Sequence, residues 1–136
     1  MEFKGIVQQW IEKADKDLAL ANHTAKTMWP TPHEIVCFHC QQFVEKYLKG
    51  FLVSKGQEPP YTHDLVKLTS LCETEKPEFG QIKQKCVVLT EYGVQPRYPG
   101  GMEIIEEDMM RALRIAEDIK AFIQEKAPEL FSTDEN

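Results

Sequence analysis

Cys37-Phe38-His39-Cys40 gathers two thiols and an imidazole within four residues, the raw material of a metal or redox centre. A redox pair needs the free amides of a helix N-terminus to lower a thiol pKa, whereas Cys37 falls more than a turn inside the helix expected there. A structural zinc site calls for a second close pair, and Cys72 and Cys86 stand far apart. Cys37 and Cys40 also turn toward an apolar arc, so they read as packed small side chains, and neither metal nor other cofactor is expected. His23, His33, His39 and His63 form no H-x-x-x-H or HExxH spacing. His33 reads as solvated in a first helical turn, and His63 as packing or hydrogen-bonding at a helix start. His39 shares a helix face with Gln42 and Lys46 and reads as a structural or interface residue. Asp17, at the edge of an apolar stripe, either pairs with an arginine from another segment or leans into water.

The most unusual stretch is Tyr92-Gly93-Val94-Gln95-Pro96-Arg97-Tyr98-Pro99-Gly100-Gly101. It is aromatic, stiffened by two prolines, and carries one arginine with no neighbouring base. Arg97 can fork to a carboxylate or a phosphate, and the two glycines allow close approach of backbone to a ligand. The stretch does not match the P-loop pattern, and no G-x-S-x-G element is present. From the residues alone, a loop tied down by an Arg–carboxylate pair and an anion site stand as equal alternatives. Nothing here declares an enzyme.

Five helices must position these groups. Phe3, Val7, Trp10, Ala14, Leu18, Ala21, Ala25 and Met28 share a narrow arc at 100° per residue, which predicts a helix over 3–28. Thr31 as N-cap, Pro32 at the first helical position and Glu34 open a second helix that closes at Gly56. Its apolar positions, Val36 through Phe51, cover an arc wide enough for burial on more than one side. Gln41, Gln42, Glu45, Lys46 and Lys49 are expected on the opposite, polar side, with Phe38 stranded among them. A third helix follows Thr62, which can cap it, a fourth spans about 77–92, and a fifth runs from the acidic group at Glu103 to about Lys126. No window alternates with a period of two. The expected fold is all-α, an up-and-down bundle of four to five helices, forming one domain over residues 1–131 with a polar tail at 132–136.

At 136 residues such a chain can bury a core without a metal or disulfide. No apolar stretch reaches the length of a membrane span, and the N-terminus lacks a secretory signal's long apolar segment, so a cytoplasmic location is expected. The formal net charge of −6 argues against strong non-specific nucleic-acid binding, which relies on a basic face.

With these residues in view, the sequence resembles the HEPN family (higher eukaryotes and prokaryotes nucleotide-binding) over about residues 6–126. The resemblance rests on Trp10-x-x-x-Ala14-x-x-Asp17-Leu18-x-x-Ala21, on Cys37 through Gly50, on Thr62-His63-Asp64-Leu65, and on Tyr92 through Pro99. It implies a helical bundle that commonly dimerises and, in many prokaryotic members, a minimal nucleotidyltransferase as toxin–antitoxin partner. Active members are metal-independent ribonucleases whose signature is an arginine followed four to six residues later by a histidine. Arg97 matches that arginine, but positions 102, 103 and 104 are Met, Glu and Ile. The histidine is missing. The resemblance therefore implies a non-catalytic binding module: a homodimer whose cleft, lined by Arg97, Tyr98, Tyr92 and His63, takes a nucleotide or other phosphate-bearing ligand. Asp17, His39, Gln42 and Phe38 are assigned structural or interface roles. The alternatives are a ribonuclease toxin acting on RNA and a purely structural scaffold in which Asp17 pairs with Arg97.

Overall fold

The computed structural model describes residues 2–94 and 103–131. Among them run five α-helices: α1 (Glu2–Thr27), α2 (His33–Ser54), α3 (Leu65–Glu75), α4 (Lys83–Val94) and α5 (Glu106–Lys126). Short 3₁₀ turns at Pro77–Ile82 and Pro128–Phe131 complete the order, and no strand occurs among the described residues. No described helix is long and apolar enough to cross a membrane.

At 1.5 Å per residue, α1 and α2 extend for about 39 and 33 Å. They form an antiparallel pair, in which Trp10 lies against Gly50, Asp15 bonds Tyr47 and Asp17 bonds Lys46. Gly50 is what lets the two backbones close. A Cβ built there would stand 3.2 Å from Trp10 Cβ and 3.4 Å from Ile11 Cδ1, tighter than side chains tolerate without displacing a neighbour.

The remaining helices wrap the other flank of α2, which becomes the central element. Phe43, Tyr47, Leu48, Phe51 and Leu52 of α2 are fully buried, with Leu65, Leu68, Phe79, Leu89, Ile119 and Ile123 supplied by its neighbours. Phe51 lies 4.5 Å from Phe79 and Phe79 5.4 Å from Phe122, in tilted and edge-on geometries that favour the ring quadrupoles. Cys37, Cys40, Cys72 and Cys86 are all buried and free. Burial pushes the Cys37 thiol up to about 12, with Asp108 and Glu34 adding to the effect. These groups are packing, not nucleophiles.

Several local expectations are corrected. Thr31 does not cap α2: its hydroxyl donates to the Met28 carbonyl at 2.8 Å, satisfying an acceptor orphaned at the end of α1, and Pro32 stands at the cap position. Thr62 does not cap α3 either. The Asp64 carboxylate, a stronger acceptor than a hydroxyl, takes the amides of Val66 at 2.9 Å and Lys67 at 3.3 Å, while Thr62 accepts the Asp64 amide. The segment expected as one helix from Pro77 begins instead as a 3₁₀ turn, which stacks Phe79 and Ile82 one above the other into the core. Finally, α5 opens at Glu106, where Asp108 reaches back to accept the Ile105 amide at 3.0 Å.

The largest departure lies on α2. Gln41, Glu45 and Lys49, expected on a solvated side, are buried. A helix enclosed by four others has no fully wet face, so these polar groups must find partners inside the protein.

Candidate functional site

Gln41, Glu45 and Lys49 follow one another at intervals of four along α2 and so stand on a single strip. Glu45 Oε2 accepts from Lys49 Nζ at 3.0 Å, and the side chains are only 5% and 7% exposed. Gln41 Nε2 donates to Glu45 Oε1 at 3.3 Å and to the His63 carbonyl at 2.9 Å. His63 Nδ1 completes the cluster, 3.0 Å from Glu45 Oε1 and 3.2 Å from Oε2. An ionised carboxylate only accepts, so the proton belongs on Nδ1 and Nε2 is left to the outside. The His63 side chain is 69% exposed. A buried carboxylate thus aims an accessible imidazole, an arrangement suited to holding an anion or moving a proton.

His63 is anchored next to the end of α4. Two residues on, the Leu65 amide donates to Thr90 Oγ1 at 3.3 Å, which fixes the start of α3 against the last turn of α4. Tyr92, in that turn, donates to Asp108 Oδ1 at 3.1 Å and accepts from Arg111 Nη1 at 3.2 Å. Burial raises the Tyr92 pKa, its bond to Asp108 raises it further, and Arg111 opposes both. The last turn of α4 therefore has a basic neighbour supplied by α5. Arg111 was overlooked because it stands three residues beyond Asp108 on the next helix, where only the fold shows that it faces Tyr92. Arg97 and Tyr98 lie outside the described residues.

Asp17 does not lean into water. Its Oδ1 lies 2.9 Å from His39 Nδ1 and its Oδ2 accepts from Lys46 Nζ at 2.6 Å, with the carboxylate 12% exposed. Asp17 thus forms a clamp between α1 and α2, and its expected pairing with Arg97 falls on a residue outside the described ones. Phe38, half-buried, meets the His39 ring edge-on at 5.4 Å, and Gln42 is half-buried on the same helix. The fold thus brings Asp17, His39 and Phe38 together along α1 and α2. His63 and Tyr92 it links through the α3–α4 contact. Glu45 and Lys49 were missed as site residues, and the clue available was the unusual width of the apolar arc of α2. Among the described residues, no three of His, Cys, Asp and Glu are grouped so as to hold a metal ion.

Known proteins share this architecture. The family model described as HEPN domain matches residues 7–126. The solved structure of TT1696 from Thermus thermophilus superposes with a TM-score of 0.70 at 24% identity, covering 88% of this chain and 97% of that one, a likeness of fold. ST0689, an archaeal HEPN homologue, superposes with a TM-score of 0.69 at 26% identity, covering 88% and 96%. No curated protein matches the chain. A family match spanning nearly all of the described helices decides the matter: the chain belongs to the HEPN domain family.

Proposed function

We propose that this HEPN domain is a non-catalytic module that binds a phosphate-bearing ligand, a nucleotide in the first instance, as a homodimer. The observation that carries the reading is the outward imidazole of His63, aimed by buried Glu45 and two residues before Leu65, whose amide donates to Thr90 of α4. The chain runs from there into Arg97 and Tyr98, the residues suited to grip a phosphate and stack on a ring. Arg111 beside Tyr92 supplies a guanidinium at this end of the bundle. The net charge of −6 fits a small anion held by a few directed groups better than a polynucleotide held by a basic surface. A minimal nucleotidyltransferase, as in toxin–antitoxin pairs, is the proposed protein partner, and the cytoplasm the proposed location. Calorimetric titration of nucleotides into wild type, Arg97→Ala and His63→Ala tests the ligand, with light scattering for the dimer. Binding that is equal in all three proteins removes the ligand claim.

A ribonuclease is the second reading, and one observation favours it. The Glu45–His63 pair is a carboxylate-oriented imidazole, the group that the sequence at positions 102–104 lacks. One imidazole serves one proton transfer at a time, whereas strand cleavage needs a base and an acid. Labelled RNA incubated with wild type and His63→Ala separates the readings. Cleavage lost in His63→Ala establishes the enzyme and ends the non-catalytic proposal.

A further inference from the structure

The buried Lys49 lines a pocket of about 480 Å³ between the first turns of α1 and the last turns of α2, roofed by the 56–61 connection. Ile6, Trp10, Val53, Pro60 and Tyr61 supply walls that are mainly apolar, and Lys49 is the charged group among them together with Glu58 at the roof. The Trp10 wall is fixed by the close approach of its Cβ to Gly50. Tyr61 at the mouth is fully exposed. Lys49 Nζ lies 5.9 Å from the Trp10 ring centroid and 3.0 Å from Glu45 Oε2.

We infer that this pocket takes the base of a free nucleotide, with a preference for guanine. The inference deepens the phosphate-binding reading above and rests on it. An ammonium carries three N–H donors, and the bond to Glu45 commits one. A purely apolar occupant would exclude water from the remaining donors and leave them unsatisfied, which is costly for a charged group. The occupant must instead be flat, to lie along Trp10, and must offer acceptors at its edge. Guanine presents two neighbouring acceptors, O6 and N7, and pairs well with lysine through them. Adenine sets an amino donor where O6 would be, facing the cation. Glu45 touches both Lys49 and His63, and Tyr61 precedes His63 by two residues. A base on Lys49 therefore has the imidazole one carboxylate away, a natural side for its sugar phosphate.

Guanosine, GMP, AMP, ribose 5-phosphate and a short single-stranded RNA, each titrated calorimetrically, test the inference. Against wild type, GMP should bind about tenfold or more tightly than ribose 5-phosphate, the scale of one stacking contact. Trp10→Leu and Tyr61→Ala should erase that margin while leaving ribose 5-phosphate binding unchanged. Tyr61 is fully exposed, so its removal does not depend on the core remaining intact. Lys49→Met should level GMP and AMP. If ribose 5-phosphate matches GMP, or both aromatic variants bind GMP as wild type does, the pocket inference fails and the phosphate reading stands. Guanosine binding in a protein indifferent to phosphate defeats the phosphate reading and keeps the pocket. RNA binding without GMP binding overturns the assignment to a free nucleotide, and no binding of any probe overturns both.

Discussion

Removing either member of the Glu45–Lys49 pair should destabilise the protein, and the two losses should differ in a direction set by the structure. Breaking a buried ion pair by deleting one partner costs about 3–5 kcal/mol, because the survivor is left charged in a poor solvent. Glu45→Ala leaves Lys49, 7% exposed, without its carboxylate and beside the Trp10 ring at 5.9 Å, a cation–π contact that returns about 1 kcal/mol. With the lost packing of the carboxylate stem, the net cost is about 4 kcal/mol. Lys49→Ala strands Glu45 less severely, since Gln41 Nε2 and His63 Nδ1 continue to donate to it, and about 2 kcal/mol is expected. For 136 residues the entropy of unfolding is about 0.29 kcal/mol/K, so the drops in Tm are about 14 and 7 °C. The double variant should cost about 2 kcal/mol less than the two single costs added, as contacting residues require. Thermal melts followed by far-UV circular dichroism, with urea unfolding as a check, supply the numbers. Should Lys49→Ala prove as costly as Glu45→Ala, or the two effects add, the account of a carboxylate shared among three donors is wrong.

Three further outcomes are expected. Gly50→Ala places a methyl 3.2 Å from Trp10 Cβ, and should cost about 1–3 kcal/mol by overpacking, with a red shift of tryptophan emission in the native protein as α1 is pushed away. Asp64→Ala removes the acceptor for the Val66 and Lys67 amides and should cost about 1 kcal/mol, whereas Thr62→Ala should cost less. The thiols of Cys37 and Cys86 stand at about 12 and 11, both raised from 9.0, by burial above all. Protonation is thus retained longer in the folded chain, so their contribution is complete below about pH 9 and is lost as pH climbs through about 11 to 12. Urea midpoints measured from about pH 7 to pH 11 should fall above about pH 9, and a flat profile would contradict the burial.

How legible the fold was depended on how many sides of each helix touch protein. The stripes Val7–Ala14–Leu18–Ala21 and Met109–Ala112–Ala116–Ile119–Ile123 could be read directly, because α1 and α5 each keep a wet face and periodicity reports it. Periodicity misled on α2. Charged Glu45 and Lys49 look solvated on a helical wheel, yet four helices enclose the one that carries them, and each charge is neutralised by the other. The caps failed by a residue or two for a local reason: Asp64 competes with Thr62, and the Met28 carbonyl captures the Thr31 hydroxyl. The site was partly legible. His63 and Tyr92 were picked out by type and setting, but their partners Glu45, Asp108 and Arg111 come from helices distant in sequence, and a single chain read linearly does not reveal such pairings. Asp17 was read as either pairing with an arginine or leaning into water, and its partners among the described residues, His39 and Lys46, come from the adjacent helix.

The bond from Tyr92 to Asp108 has a wider consequence. It joins the last turn of α4 to the first turn of α5 and so closes the connection that contains Arg97 at its base, independently of what lies between. Once the ends of such a connection are tied, doubling its length adds only about 0.6 kcal/mol of entropic cost. Lengthening the connection between Tyr92 and Asp108 therefore carries little entropic cost. The two helix ends are thus held to each other by their own side chains, whatever the length of chain that joins them.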